Sequence, residues 1–359
     1  MKIFDRYVIP EFLKLLFIFT LGSIFIFIVV NFFERIDSFI GNRATPSQVL
    51  RYYVYQIPYI FVLMFPIGHL LAIFFSLGEM ARRNELLALK AAGINLRRIF
   101  LPFIVIGLLD TLITFSVSEY LSYSGMRKAS YIKKVEIEKR HTPYGAVRAS
   151  NFSFLEDDKL FFFRLIDRRQ NIAKGLIVYI FKGKKPKIRI DAETGRYTKD
   201  SVWVLYNVTE RIIGDVEDTI YFYPEKVYPA FNVSPFEFLK RRHDLEEMSG
   251  LELFKLITKK KRSGLDYTEE LVEFYTRFSF PFAVLIILFF TLPMAASLKG
   301  KGKTYSFGLA VSLAFIYWGI LQAFRSLGHA GRVNPAIAAW LPNLIFLTCG
   351  IYLHLKFKS

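Results

Sequence analysis

Six separate stretches of this chain are apolar for about 20 residues each, the length a helix needs to cross the hydrocarbon core of a bilayer. They run roughly Phe12–Phe33, Val54–Gly78, Ile99–Tyr120, Val272–Leu298, Tyr305–Phe324 and Ala336–Leu355. Three come before a long polar interval and three after it, so the sequence predicts a 3 + 3 polytopic helical membrane protein with a large extramembrane insertion. Composition agrees: 53% of residues are hydrophobic and 17% aromatic, above the roughly 45–50% apolar content of soluble domains. A net charge of +17 beside so much apolar surface excludes disorder. The lone Cys349 excludes an intramolecular disulfide framework and an all-cysteine zinc site.

Orientation follows from the cations in the short flanks. With the N-terminus inside, the inner flanks hold Lys2, Arg6, Lys14, Arg82, Arg83, Lys90, Arg97, Arg98, Lys299, Lys301, Lys303, Lys356 and Lys358. The outer ones hold only Arg35, Arg43, Arg51, Arg325 and Arg332. Both termini are therefore expected in the cytoplasm and the insertion outside. The first apolar run is too long for a cleaved signal and lacks a small-residue cleavage site, so it is expected to stay as an anchor.

The insertion, about residues 121–265, changes texture. Tyr123–Arg140 predicts a polar helical extension. From Asn151 onward come β-rich runs at Lys159–Ile166, Gly175–Phe181, Lys187–Tyr197, Ser201–Arg211 and Thr219–Phe231, punctuated by Gly, Asp and Asn. Their spacing predicts an antiparallel β domain, a sandwich or an open barrel. Ser234–Gly264 returns to helical character and ends near the basic run Lys259–Arg262. The domain carries a surplus of Lys and Arg, which suits anionic partners such as lipid headgroups, or a merely solvated basic surface.

No constellation for catalysis is present. His69, His141, His243, His329 and His354 are scattered, with no pair at metal-ligand spacing, and no nucleophile elbow occurs. Gly302-Lys303-Thr304 imitates the end of a phosphate-binding loop. The first glycine of that motif would fall at Ser297, and no strand precedes it. The chain is expected to hydrolyse no nucleotide and to need no cofactor or metal.

The most informative segment is 78–98, GEMARRNELLALKAAGINLRR, expected at the inner face. Met80, Leu86, Leu87, Leu89 and Ile94 recur at helical spacing among Arg82, Arg83, Glu85, Lys90, Arg97 and Arg98, and Gly93 can close the helix with a left-handed cap. A short amphipathic helix there suits docking into a groove of a soluble partner or resting on lipid headgroups.

Glu85-Leu-Leu-Ala-Leu-Lys-Ala-Ala-Gly-Ile resembles the coupling helix of the LptF/LptG (YjgP/YjgQ) permeases, membrane subunits of the ABC transporter that extracts lipopolysaccharide from the inner membrane. Further resemblance lies in Asp5-Arg6-Tyr7, Trp203-Val-Leu-Tyr-Asn207, Ser249-Gly-Leu-Glu-Leu, Gly264-Leu-Asp, Glu273–Pro281 and Ala338-Ala-Trp-Leu-Pro-Asn343, the last leaning to the LptG side. The resemblance implies a non-catalytic permease paired with a paralogue around a central cavity. It further implies a cytoplasmic LptB ATPase dimer as motor, LptC as an associated subunit, and a periplasmic β-jellyroll handing lipopolysaccharide to the LptA bridge. Arg82, Arg83, Glu85, Leu86, Leu89 and Gly93 would form the ATPase-coupling surface, with Glu85 at the family's acidic coupling position or, more plainly, pairing with Arg82.

A multiply acylated, phosphorylated lipid asks for an apolar wall and cations at its rim. Phe27, Phe32, Phe307 and Trp318, on the two spans that form the family's lateral gate, are candidates for the wall. Arg35, Arg43, Arg325 and Arg332 are candidates for the rim, because a guanidinium fork matches phosphate; each is equally readable as packing or as a snorkelling arginine. Two charges fall inside spans, where they normally face protein or water. Arg277 has Glu273 one turn away as a simple partner, whereas Asp110 has none in its own span. A membrane-anchored envelope scaffold is the competing reading. A four-span lipoprotein-releasing subunit conflicts with the 3 + 3 plan, and an ion-coupled transporter would want more midplane acids than Asp110.

Overall fold

The computed structural model describes residues 3–139, 148–156, 158–167, 170–182, 185–198, 202–214, 217–228, 245–262, 266–298 and 301–356. The chain forms two compact units, one of residues 1–40, 49–129 and 268–359 and one of residues 41–48 and 130–267. Lys2, Lys299, Lys358, His141, His243, the start of the expected 234–264 helical region and the Gly264 motif lie outside the described residues.

The first unit is helical. Helix α1 spans Ile3–Gly41, α2 Pro46–Arg82, α3 Glu85–Ala91 and α4 Leu96–Ser116. From α4 the chain runs without a break through a π-helical stretch, Val117–Ser122, into α5, Tyr123–Tyr131, and a second one at Ile132–Ile137. The helices outrun the apolar stretches because their polar flanking turns stay helical; α2 passes through Pro58 and Pro66 uninterrupted. Among the described residues, five helices are long and apolar enough to cross a membrane, and the number is six if a bent pair counts as one span.

That bent pair, α7 (Thr268–Ser279) and α8 (Phe282–Ala296), meets at 52°, where one span over Val272–Leu298 was expected. Pro281 lacks the N–H that would continue the hydrogen-bond ladder, and the interrupted turn frees a carbonyl at Ser279. Asn343 satisfies it: its Nδ2 donates to Ser279 O at 2.7 Å, and Tyr317 Oη donates to Asn343 Oδ1 at 2.8 Å. Asn343 lies on α10 (Pro335–Lys356) and Tyr317 on α9 (Lys303–His329), so three helices share one buried polar chain.

Phe12, Ile73, Phe74, Phe103 and Leu288 lie at the centre of the helical core. Without a hydrophobic drive between helices in lipid, close approach of backbones does the packing. A Cβ at Gly68 would sit 2.2 Å from Thr20 Oγ1, so α1 and α2 touch where only glycine fits.

Among the described residues, the second unit is built on six strands: β1 Arg148–Glu156, β2 Lys159–Asp167, β3 Ile172–Lys182, β4 Lys185–Tyr197, β5 Trp203–Ile212 and β6 Thr219–Tyr228. They form one antiparallel sheet in the order β1-β2-β3-β4-β5-β6. The antiparallel β domain is thus present, as a meander of consecutive hairpins. Neither a facing second sheet nor a Greek-key crossover occurs among the described residues. After β6 comes α6, Gly250–Arg262.

One face of the sheet carries the core: Phe161, Phe163, Leu176, Val178, Ile190, Ala192, Trp203 and Leu205. Strict alternation fails along one line. Buried positions step by three from Phe163 to Ile166, Ala173 to Leu176 and Leu205 to Val208. The flanking pairs set Arg164, Gly175, Glu193 and Asn207 side by side across the sheet. Gly175 (φ 60°) and Asn207 (φ 52°) take the left-handed conformation there, and the Asn207 amide donates to Glu193 at 2.6 Å. The irregularity therefore crosses several strands in register, which lets the sheet bend and keep one apolar face.

Candidate functional site

The segment between the second and third spans is three pieces, not one helix. The last turn of α2 holds Glu79, whose carboxylate collects both Arg82 and Arg83, the latter at 2.9 Å. Arg82 is therefore not the partner of Glu85. Asn84 then turns the chain in a left-handed conformation (φ 60°), which asparagine tolerates. Glu85 opens α3, where a carboxylate meets the positive end of the helix dipole.

Leu86 is buried in the helical core, and Leu89 and Ile94 pack against it. Leu86 thus anchors α3, while Leu87, its exposed neighbour at 52%, is the apolar side chain that faces outward. Gly93 adopts φ 79°. The amide of Ile94 donates to Leu89 O at 3.0 Å and that of Gly93 to Lys90 O at 2.9 Å, the two bonds of a Schellman cap. Asn95 caps α4 through the Arg97 amide, and Arg98 donates to Asp5 at 2.6 Å, tying the start of α4 to the first turn of α1. Seven residues of helix are thereby pinned at both ends, with Arg82, Arg83, Leu87 and Lys90 exposed and Glu85 half-buried among them.

The candidate lipid contacts divide. Arg35 Nε donates to Asn31 at 3.1 Å, and Tyr53 donates to the same oxygen at 3.3 Å. Arg325 lies 2.7 Å from Glu273, with His329 Nε2 2.8 Å from that carboxylate oxygen, so its fork is already occupied inside the bundle. Arg43 and Arg332 are exposed; Arg332 follows Gly331, and its amide completes the cap of α9 through Leu327 O. Phe32 packs on Phe33 and Phe39, Trp318 meets Phe280 edge-on at 6.4 Å, Phe27 is half-buried and Phe307 is 49% exposed.

The helices that carry these aromatics are the least covered. Only 11% of the most apolar stretch of α1 and 17% of that of α9 is buried, against 72% for α2.

Both intramembrane charges have cross-helix partners. Arg277 faces Glu119 at 3.6 Å instead of Glu273, which Arg325 and His329 occupy. Asp110 Oδ2 lies 2.8 Å from His69 Nε2, and His69 is fully buried. The other ring nitrogen, Nδ1, lies 2.9 Å from Phe65 O. A carbonyl only accepts, so Nδ1 carries a proton, and the Nε2···Oδ2 contact needs one more. The pair therefore holds two protons and has no net charge, which is how an aspartate can stay in a membrane interior. Asp110 was visible in the sequence as an intramembrane acid; His69, 41 residues earlier, carried no signal that would join the two.

Among known proteins, the family described as lipopolysaccharide export system permease LptF/LptG matches residues 6–356. The chain is 20% identical over 313 residues to the lipopolysaccharide export system permease protein LptG of Escherichia coli K12, covering 85% of this chain and 84% of that protein. The same values hold for LptG of E. coli O6:H1. With a family match running through every helix and the sheet between them, this chain belongs to the LptF/LptG family of lipopolysaccharide export permeases.

Proposed function

We propose that the chain is the LptG-type permease subunit of an ABC transporter that lifts lipopolysaccharide out of the inner membrane, and that α3 receives the stroke of a separate cytoplasmic ATPase. The observation that carries this reading is the build of α3. Leu86 fastens it to the helical core, Gly93 and Asn95 stop its far end, and Glu85, Leu87, Arg82 and Arg83 stand outside. A push on such a ridge reaches α2 and α4 with little lost in bending. A carboxylate at its leading end suits a charge-assisted hydrogen bond to a partner.

The remaining parts follow from family membership and from the uncovered faces. α1 and α9 offer Phe27, Phe32 and Phe307 to a paralogous permease across a central cavity or to lipid acyl chains. Arg43 and Arg332 are the exposed guanidiniums left for phosphates, while Arg35 and Arg325 hold neighbouring side chains. Both termini and α3 lie in the cytoplasm on the cation count, and the sheet lies in the periplasm, where LptC and the LptA bridge would take the lipid onward.

Co-purification of the ATPase with wild type, Glu85→Ala and Glu85→Lys tests the coupling. Loss of one charge-assisted contact weakens retention by about 10- to 100-fold, and lipopolysaccharide-stimulated hydrolysis falls with it. If wild type retains no ATPase, or both variants retain it fully, the reading fails.

A further inference from the structure

An open cleft of about 380 Å³ lies where α4 begins and α10 ends, between the turn after α3, the middle of α8 and the last turns of α10. Two cations stand beside it, Lys90 and Arg97, both exposed. Neither forms an ion pair among the described residues. No carboxylate among the described residues lines the cleft. The opposite wall is apolar and is made of Phe100 near the start of α4, Phe289 midway along α8 and Leu355 near the end of α10.

His354 belongs to that wall. Its ring stacks on Phe289 at 4.1 Å and meets Phe100 edge-on at 5.5 Å, and its Nε2 lies 2.9 Å from Phe289 O, so that nitrogen donates. The cleft is thus flanked by an aromatic stack, with cations that pair with no described carboxylate on one side and hydrocarbon on the other. A free phosphate or nucleotide would leave the apolar wall wet, and an uncharged lipid would leave the cations unanswered. An amphiphile with a phosphate at its head and acyl chains below meets both conditions.

We propose that this cleft is a binding site for an anionic phospholipid, its phosphate held by Lys90 and Arg97 and its acyl chains laid along Phe289 and Leu355. The site is separate from the transported lipid and meets the docking helix only at Lys90, its last turn, and it rests on the membrane assignment of the chain alone. Because Lys90 closes α3 and Arg97 opens α4, a lipid seated here would brace the turn that joins them.

Two measurements test this. The full-length permease complex is placed in bilayers of phosphatidylethanolamine with or without phosphatidylglycerol, and retained lipids are counted by native mass spectrometry. Wild type retains phosphatidylglycerol preferentially. The double variant Lys90→Glu/Arg97→Glu loses that preference by on the order of tenfold or more, from two surface cations reversed. Ile351→Trp, which fills the cleft and leaves both cations in place, loses it as well. A photo-crosslinker placed at Leu355 in living cells then gives an adduct of phospholipid mass. Equal retention by wild type and both variants, or an adduct to the ATPase or another protein, overturns the proposal. Retention of lipid is read without nucleotide, so it stands or falls independently of the Glu85 result.

Discussion

At the scale of single residues, the bundle is held by polar groups whose partners lie on other helices. Removing one member of the His69–Asp110 pair leaves a buried acid or imidazole without its proton-sharing partner. His69→Ala and Asp110→Ala should each cost about 3–5 kcal/mol, whereas the double change to Leu at both positions should return stability close to wild type. Reversible unfolding of the full chain in mixed micelles compares these three variants with wild type. A second residue-scale prediction concerns the sheet. Burial pushes the Tyr228 hydroxyl well above the usual tyrosine range, helped by its 2.9 Å hydrogen bond to Glu210. Burial opposes the charge on Lys226, but its hydrogen bond to the same carboxylate prevails and raises it. Both folded values exceed the unfolded ones. This stabilisation is therefore complete below about pH 10 and is lost as the pH climbs through the folded values. The denaturant midpoint followed by Trp203 emission, with Trp318 and Trp340 replaced by Phe, should fall above about pH 10, and less steeply in Tyr228→Phe. What sequence offered at this scale was identity without address. Asp110 and Arg277 stood out as charges in apolar runs, yet their partners depend on how helices are rotated against each other.

At the scale of elements, legibility followed local chemistry. The left-handed cap at Gly93 could be read directly, because a glycine after an amphipathic turn has few other uses. The division of the segment around it could not, since Arg82, Arg83 and Glu85 are equally spaced for several pairings and only the position of Glu79 decides. Gly93→Val should strain the backbone by about 1–2 kcal/mol, whereas Gly93→Asn should be nearly silent. Hydrogen exchange over residues 85–95 should rise in the valine variant and stay unchanged elsewhere. The bend between α7 and α8 was hidden for a related reason. Pro281 sits in a run of uniformly apolar residues, and proline is common inside membrane helices, as Pro58 and Pro66 show. Whether a proline bends a span depends on who receives the freed carbonyl, here Asn343 from 64 residues away. In the sheet, five strands were visible as runs of Val, Ile, Phe and Tyr. The row through Gly175 and Asn207 was not, because a phase shift shared by neighbouring strands looks in each of them like a single misplaced polar residue.

At the scale of the whole molecule, the 3 + 3 plan was legible because hydrocarbon thickness imposes one length on every crossing. The connectivity of the β insertion was not, since turn spacing alone serves a meander, a sandwich and a barrel. The meander carries a consequence for how the protein is made. Every strand from β2 to β6 pairs with the one synthesised just before it, so each hairpin can close as soon as its second strand has been made. Nothing in the sheet waits for α7 to α10. Birth order and spatial order coincide, and the sheet need not linger unpaired while the ribosome is still building the helices that complete the bundle.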